Sequence, residues 1–224
     1  MLSIIAISDL HGLLPDMSEY QGDILCICGD TFPLSIQTHT RACEEWFTEE
    51  FIPWAQEIKV DKILLIAGNH DFFFYSSHLQ RIHNLIKDTK IVYLENDVFE
   101  YQGKVFYGTP YCKQFGNWAF MRDDETLEII FSNIPNNVDV LITHDAPFGC
   151  SDICEQDISW NSHTHIGNIP LKEAVLKKQP KFLIHGHLHT SNHELEILGG
   201  TQVYCVSLLD EHYKHTYKPL IFEI

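Results

Sequence analysis

Basic residues are scarce in this chain of 224 residues. Fifteen Lys and Arg stand against 31 Asp and Glu, which gives a formal net charge of −16. Only Arg41, Arg81 and Arg122 are arginines, and basic residues form no run anywhere in the sequence. A protein that follows a nucleic-acid backbone needs clustered positive charge, so we expect no long DNA or RNA partner. The acidity itself is typical of a solvated surface.

Long apolar runs and paired cysteines are missing as well. The first stretch, MLSIIAISDL, is apolar, but it is too short for a membrane span and lacks the basic flank of a secretory signal. The seven cysteines include no CxxC pair and suggest no disulfide framework. We therefore expect no membrane partner, and a reducing cytoplasm fits the cysteine usage best. Nothing in the sequence indicates an oligomeric state.

What the chain does contain is a series of short apolar runs, most of which end in turn or polar residues. Such runs are typical of buried strands. We predict strands over Leu2–Ser8, Asp23–Cys28, Lys62–Ala67, Val105–Thr109, Val138–Thr143, Lys181–His185, Val203–Ser207 and Pro219–Ile224. Strands that alternate with helices indicate a layered α/β fold, and the length favours a single domain over 1–224.

Between the strands lie segments with helical spacing of apolar residues. We predict helices over Thr40–Lys59, Ser77–Lys87, Asp124–Phe131 and Pro170–Lys178. Pro53 should kink or end the first of them, because proline removes a backbone donor inside a helix. Two further segments, Lys113–Trp118 and Gly149–Thr164, have no clear period. Long irregular loops of this kind often cover functional sites.

Residues with metal-binding side chains follow five of the predicted strands. They stand as Asp9-Leu10-His11, Gly29-Asp30, Gly68-Asn69-His70-Asp71, His144-Asp145 and Gly186-His187-Leu188-His189. The carboxyl ends of parallel strands share one edge of a sheet, so these residues should converge. Buried carboxylates and imidazoles need a partner charge, which a cation supplies. Residues two apart in extended chain point the same way, so Asp9 with His11, and His187 with His189, can reach one centre.

The number of candidate ligands favours two ions. The candidates are Asp9, His11, Asp30, Asn69, His144, His187 and His189. One zinc ion takes three or four protein ligands, so this set suits two divalent ions that share a carboxylate. Imidazole and oxygen donors without thiolate suit manganese, iron or zinc, and they do not suit calcium. Each motif alone is common in structural roles, but five in order, each after a strand, are not a chance pattern.

These motifs resemble those of the calcineurin-like metallophosphoesterase superfamily, which are DxH, GD, GNH[DE], H and GHxH in the same order. A closer resemblance is to its MPPED/239AB-like branch of small phosphodiesterases. The stretches ITHDAPFGCSD and YGTPYCKQFGNWAF and the element His165-Ile166-Gly167 resemble segments of that branch. Asp145 departs from its usual glycine, and Cys112 replaces its proline-rich stretch. Both departures are expected to affect substrate fit rather than metal binding.

The resemblance implies a four-layer αββα sandwich and a role for each candidate. One ion would be held by Asp9, His11, Asp30 and His189, and the other by Asp30, Asn69, His144 and His187, with Asp30 between them. A metal-bound hydroxide would attack the phosphorus, and His70 would protonate the leaving group as general acid. Asn69 and His165 are also the expected substrate contacts, although His165 could instead make a loop hydrogen bond.

The leading functional hypothesis is a phosphodiesterase that acts on a small phosphodiester, with a cyclic nucleotide as one candidate. A phosphomonoesterase is the first alternative. Its protein-phosphatase version is disfavoured, because GDTFPLS lacks the GDxxDRG continuation that supplies an Asp partner to the catalytic His. A DNA nuclease lacks support from charge, and a non-catalytic scaffold conflicts with the intact ligand set. Asp71 could cap a turn or orient a neighbour, and His185 should be a packed core residue.

Overall fold

Fifteen strands and six α-helices make up the part of the chain that this computed structural model describes, residues 1–155, 163–191 and 193–224. The strands are β1 (Ser3–Ile7), β2 (Ile24–Cys28), β3 (Lys62–Ile66), β4 (Ile91–Tyr93), β5 (Asp97–Tyr101), β6 (Lys104–Thr109), β7 (Cys112–Lys113), β8 (Met121–Arg122), β9 (Val140–Thr143), β10 (Ile153–Glu155), β11 (His163–His165), β12 (Phe182–His185), β13 (Glu196–Leu198), β14 (Thr201–Cys205) and β15 (Leu220–Glu223). The helices are α1 (Thr40–Trp46), α2 (Ile52–Glu57), α3 (Phe72–Ser76), α4 (Leu79–Ile86), α5 (Asp124–Ser132) and α6 (Ile169–Lys178).

Two large sheets contain most of the strands. The first has five strands in the order β15-β1-β2-β3-β4, and the second has six in the order β13-β14-β12-β9-β6-β5. In the first sheet β1 to β4 are parallel, and in the second β6, β9, β12 and β14 are parallel. The carboxyl ends of the central strands therefore lie along one edge of each sheet.

The inner faces of the two sheets pack against each other. Ile4 and Ala6 of β1 lie in one buried cluster with Val140 and Ile142 of β9 and Ile184 of β12. Their neighbours in sequence point the opposite way, because side chains alternate along a strand. Each fully buried aliphatic side chain contributes roughly 1.5–3 kcal/mol relative to exposure. The two-residue period thus specifies which face of each strand meets the other sheet.

The outer faces of the sheets are covered by helices. Ile5 and Ile7 of β1 share a buried cluster with Phe47 and Phe51 from the helical region after β2. On the other side, Leu141 of β9 belongs to a cluster that includes buried residues of α5 and α6. The layers run helix, sheet, sheet, helix, which confirms the predicted αββα sandwich.

The helical region after β2 differs from the prediction at Pro53. The chain passes from α1 through a π-helical turn, Phe47–Phe51, into α2 without leaving the helix. Pro53 lies directly after the π-helical turn, where the hydrogen-bond pattern of the α-helix is already interrupted and a missing N–H costs little. Of the two outcomes predicted for Pro53, a kink or an end, the structure excludes the end, and the helical region closes at Glu57 rather than Lys59. The predicted helices at α5 and α6 are confirmed within one residue, with Asp123 and Asn168 as side-chain N-caps.

The largest omissions from the sequence-based prediction are short or edge elements. Strands β4, β5 and β13 and helix α3 were not predicted, and each has five residues or fewer. Part of the predicted loop Gly149–Thr164 forms β10 and β11, and its segment 156–162 lies outside the described residues. Across the described parts of the chain, no helix has the length and apolar character that crossing a bilayer requires.

Candidate metal centre

The five polar loops converge where the two sheets meet. Loops after β1, β2 and β3 come from the first sheet, and loops after β9 and β12 come from the second. They surround a cavity of about 410 Å³. The predicted site residues that line it are His11, Asp30, Asn69, His70, His187 and His189. Asp9 and His144 are fully buried and contact these lining residues.

Asp30 lies among three imidazoles. Its Oδ2 is 3.3 Å from Nε2 of His144, 3.6 Å from Nε2 of His11 and 4.0 Å from Nε2 of His70. Its Oδ1 accepts a 2.8 Å hydrogen bond from the backbone N–H of His70. Burial alone would raise the pKa of Asp30, but His144 and the other imidazoles hold this pKa well below its ordinary value. The carboxylate is therefore ionised at neutral pH.

Asp9 occupies the corresponding position after β1. Its Oδ1 is 3.2 Å from Nε2 of His189, and both carboxylate oxygens accept from the backbone N–H of His187 at 3.1 Å. Burial raises the pKa of Asp9, and His189 more than reverses that shift. Among the described residues, no Lys or Arg lies within ion-pair distance of Asp9 or Asp30. Two buried negative charges thus face only imidazoles.

Backbone carbonyls orient two of these imidazoles. Nδ1 of His144 lies 2.7 Å from the carbonyl oxygen of Cys28, and Nδ1 of His189 lies 3.0 Å from that of Asp210. A carbonyl only accepts, so Nδ1–H donates in both cases and Nε2 faces the centre, as in metal-ligating histidines. Burial lowers the pKa of each ring. Asp30 nevertheless raises the pKa of His144 to about 10, and Asp9 raises that of His189 to about 9.

The donor set fits divalent cations. Ligand atoms of Asp9, His11 and His189 all lie within 4.8 Å of one another, and so do those of Asp9, Asp30 and His144. Nδ1 of His11 is buried without a hydrogen-bond partner, and burial lowers the pKa of this ring to about 4. A neutral imidazole and ionised carboxylates are the forms in which these side chains bind metals. Asp9 belongs to both groups, whereas the resemblance gave the shared position to Asp30.

Two glycines allow the loops to approach so closely. A Cβ on Gly186 would lie 1.9 Å from Oγ of Ser8 and 2.4 Å from Oδ2 of Asp9. A Cβ on Gly68 would lie 2.2 Å from Oδ1 of Asp30. Real Cβ atoms do not come this close to other atoms. Any larger residue at either position would push a carboxylate out of place, which explains why the motifs contain glycine there.

His70 is held by a residue that the motifs do not contain. Its Nδ1 lies 2.5 Å from Oε1 of Gln37, a residue in the turn after Asp30, and its ring centroid lies 4.5 Å from that of Trp118 with the two planes tilted by 38°. An amide oxygen accepts, so Nδ1–H donates and Nε2 faces Asp30 and the cavity. Gln37 thus occupies the role of the Asp that the sequence lacks. No pattern in the sequence pointed to Gln37, because turn residues reach the site through tertiary structure.

Asp71 joins two of the converging loops. Its Oδ1 accepts from the backbone N–H groups of Thr31 and Phe32, and its Oδ2 accepts from that of Gly68 at 2.8 Å. Burial and then Asp30 raise the pKa of Asp71 to about 7. Its side chain does not cap α3. The bond from Gly68 caps the turn and the bonds from Thr31 and Phe32 hold the neighbouring loop, so the structure supports both roles that the sequence left open.

His165 lies outside the lining of this cavity. Its Nδ1 is 2.5 Å from Oδ1 of Asp152, a fully buried carboxylate that also accepts from the backbone N–H groups of Gly149 and Gly167 at 2.9 Å. The geometry matches the loop hydrogen bond, and the contact of His165 with substrate stays a prediction without structural support. His185 is fully buried, as expected of a core residue, and burial lowers its pKa to about 4.

Comparison with known proteins identifies the family. The model of the calcineurin-like phosphoesterase family matches residues 2–191, most of the chain. The chain belongs to the calcineurin-like phosphoesterase family. Members of this family use divalent metal ions, and membership indicates a phosphoester hydrolase.

Relatives and solved structures agree with this family. Human metallophosphoesterase domain-containing protein 1 is 23% identical over 244 residues, which cover 98% of this chain and 70% of that protein. The protein TT1561 of Thermus thermophilus has a TM-score of 0.59 at 13% identity, with 91% of this chain and 88% of that chain covered. Phosphopantetheinyl hydrolase from Mycobacterium tuberculosis has a TM-score of 0.55 at 13% identity, with 94% and 90% covered. At such identity the structural likeness shows the fold alone, and the predicted family and fold are confirmed.

Proposed function

We propose that this calcineurin-like phosphoesterase is a dinuclear-metal-dependent phosphodiesterase that hydrolyses a small phosphodiester, with a cyclic nucleotide as one candidate. The observation that carries the proposal is the pair of buried, ionised carboxylates, Asp9 and Asp30, which face imidazoles and no Lys or Arg among the described residues. Without metal, His144 and His189 must carry protons to balance these charges, and divalent cations would take the place of those protons. Manganese, iron and zinc suit the mixed donors.

The proposed ligands are those that the sequence motifs provide. One ion would be held by Asp9, His11, Asp30 and His189, and the other by Asp30, Asn69, His144 and His187. When bound, such ions acidify water and neutralise the oxygens of a phosphoryl group. Asn69 orients the imidazole of His144, since its Oδ1 lies 3.0 Å from Nε2 of that ring. Asn69 also lines the cavity, where it can reach substrate.

His70 is the proposed general acid. Its ring lines the cavity, and its Nε2 lies on the side of Asp30, where the leaving oxygen of a bound phosphoester would stand. Gln37 and Trp118 hold the ring in one orientation, which places a proton donor without a search over rotamers. Because Gln37 keeps one proton on Nδ1, the ring must be the imidazolium to act as the acid. It would give its Nε2 proton to the departing alkoxide and become neutral, and burial lowers the pKa of His70 and so favours release of that proton.

The charge of the cavity favours a diester over a monoester. No Lys or Arg is found among the described residues that line it, and Glu211 adds a negative charge at its edge. A phosphodiester has one negative charge, whereas a monoester has nearly two at neutral pH. The proposed ions would attract both substrates, so the preference rests on Glu211, which repels the more highly charged monoester and has no Lys or Arg of the described lining to offset it. A phosphomonoesterase is the alternative, and the relative rates on a diester and a monoester distinguish the two activities.

The test compares bis-p-nitrophenyl phosphate with p-nitrophenyl phosphate in the presence of Mn²⁺, Zn²⁺ or Fe²⁺. We expect turnover of the diester to exceed that of the monoester by at least about 10-fold. Asp30→Asn should abolish or strongly reduce it, and His70→Asn should reduce it less, because a p-nitrophenyl leaving group needs little protonation. Metal content of Asp9→Asn and Asp30→Asn identifies the shared carboxylate, since its loss should release both ions. Absence of turnover with all three metals would refute the proposal, and preference for the monoester would favour the alternative.

A further inference from the structure

Three aromatic side chains line the cavity and yet remain exposed. Phe115 is 62% exposed, Trp118 is 37% exposed and Tyr213 is 48% exposed. Single exposed apolar residues are ordinary on protein surfaces, but a group of them around one concave site marks a place where a ligand is covered. All three come from loops, and two of them belong to the segment Lys113–Trp118 that lacked any period in the sequence.

The rings lie directly beside the imidazoles of the candidate centre. The centroid of Trp118 is 4.5 Å from that of His70, and the centroid of Phe115 is 5.6 Å from that of His187. Tyr213 is 5.0 Å from His11 on the other side of the group. A substituent on a phosphorus atom bound at these imidazoles would therefore lie beside Phe115, Trp118 or Tyr213.

Hydrogen bonds at both ends fix the segment Lys113–Trp118, which carries Phe115 and Trp118. The backbone N–H of Lys113 donates to Oδ2 of Asp145 at 2.8 Å, and that of Ala119 donates to the carbonyl oxygen of Asn69 at 3.0 Å. Asp145 is buried, and Asn168 also donates to it. Asp145 thus fixes the start of the segment Lys113–Trp118 beside His144. This role agrees with the expectation that the departure from glycine at position 145 affects substrate fit.

The charges at the cavity restrict what can stack there. Glu211 lines the cavity, and the described lining contains no Lys or Arg side chain. This carboxylate would repel an anionic ring substituent, because no Lys or Arg of the described lining offsets it and the proposed ions would face the phosphoryl oxygens. A flat ring without negative charge would gain stacking with Trp118 or Phe115, worth a factor of roughly 10 in affinity per ring.

We infer that the cavity selects singly charged phosphoesters and phosphonates in which the group that stays on the phosphorus is, or carries, a flat aromatic ring without negative charge. The inference rests on the proposed function, since it assigns a substrate class to the same site. Phe115, Trp118 and Tyr213 are its specificity-determining residues, and Glu211 excludes ring substituents with negative charge.

A matched pair of chromogenic substrates tests the inference. 4-Nitrophenyl phenylphosphonate and 4-nitrophenyl methylphosphonate share the leaving group and the single negative charge, and they differ only in the ring. We expect the ratio of kcat/KM for phenyl over methyl to fall at least about 5-fold in Phe115→Ala and in Trp118→Ala, measured with Mn²⁺. Trp118→Ala could also lower the rate for both substrates, because Trp118 contacts His70. The ratio is insensitive to a loss of kcat/KM that both substrates share. Ile197→Ala, 60% exposed on β13 outside the cavity, is the control and should leave the ratio unchanged.

The outcomes separate the two proposals. Turnover of both phosphonates with a ratio that neither Phe115→Ala nor Trp118→Ala changes would overturn the inference and leave the phosphodiesterase standing. No turnover of either phosphonate or of bis-p-nitrophenyl phosphate would remove the proposed function and the inference with it. A 4-carboxyphenylphosphonate ester tests the charge: we expect it to react at least about 10-fold more slowly than the phenyl ester, with partial recovery in Glu211→Gln. Equal reaction of the two esters would contradict the role of Glu211.

Discussion

The two ends of the central strands use the same residue type for different purposes. At the amino ends, Asp139 accepts from the backbone N–H of Val105 at 2.9 Å and from Nζ of Lys181 at 2.7 Å, and Asp23 accepts from the backbone N–H of Ser3 at 2.7 Å. These aspartates join neighbouring strands, and each partner is a cation or an amide. Their bonds add to folding stability.

At the carboxyl ends, Asp9 and Asp30 are more deeply buried and meet imidazoles. They also adopt φ values of 56° and 53°, while His11 and His187 have φ values of 42° and 67°. A left-handed conformation costs a residue other than glycine on the order of 1 kcal/mol. Four strained residues in one site are maintained only when the surrounding structure fixes them. The aspartates at the amino ends thus add to folding stability through their bonds. The residues at the carboxyl ends carry backbone strain, which the rest of the fold must offset.

The largest effect that would separate the two ends is expected for Asp30→Asn. Under the proposed function, loss of this charge should reduce kcat for the diester on the order of 10³-fold, because the ions would lose a carboxylate ligand. Thermal unfolding without metal should also show a loss, because the imidazoles around Asp30 hold its pKa well below the ordinary value and its charge therefore stabilises the fold at neutral pH. The matched variant at the other end, Asp139→Asn, should keep activity within about 2-fold. Loss of activity in both variants to the same degree would abolish the distinction.

His70→Asn should give the next largest effect. The imidazole is the proposed proton donor, and general acids contribute about 10²–10⁴-fold to rate. We expect kcat for a diester with a poor leaving group to fall at least about 10²-fold, with a smaller loss for a p-nitrophenyl ester, which needs little protonation. Steady-state kinetics on the two esters with equal metal content measures this difference. An equal loss on both esters would assign His70 to binding instead.

Gln37→Ala should have an intermediate effect that is confined to turnover. Without the amide oxygen, Nδ1 of His70 loses its acceptor at 2.5 Å and the ring loses its fixed orientation. Removal of such orienting partners typically costs about 10-fold to 10²-fold in activity. We expect kcat to fall about 10-fold with KM and the melting temperature unchanged. Gln37→Glu keeps an acceptor oxygen at the same distance and should restore most of the rate; failure to do so would show that Gln37 does not act through His70.

The smallest effect is expected for Asp139→Asn, and it concerns stability. Burial raises the pKa of Asp139, but its bonds with Lys181 and Val105 give a net pKa below the ordinary value. The ionised form therefore stabilises the fold, with a contribution that is present above the unfolded pKa of about 3.9 and is lost as pH falls through the lower native pKa. Urea unfolding at pH 7 should show a loss of about 1–2 kcal/mol. The difference between variant and wild type should disappear near the acid end of the folded range, and a constant difference would contradict it.

The sequence was sufficient for the parts of the site that follow buried strands. Asp9, Asp30 and Asn69 stand next to apolar runs whose period places them at a sheet edge, so their convergence could be predicted. Gln37 and Tyr213 could not. Gln37 contacts His70 and Tyr213 lines the cavity, but each lies in an irregular turn whose path depends on packing elsewhere. The same limit applies to β4 and β13, which are too short for periodicity to separate strand from loop.

The position of the centre between the sheets has a consequence for how the protein would acquire its ions. Asp9 and His187 bond to each other across 178 residues of sequence, so nearly the whole chain must be in place before the ligands meet. Fragments of one sheet present at most half of a coordination sphere. Metal would therefore bind only after both sheets have folded together. Its binding free energy would then add to the free energy of unfolding of the whole sandwich.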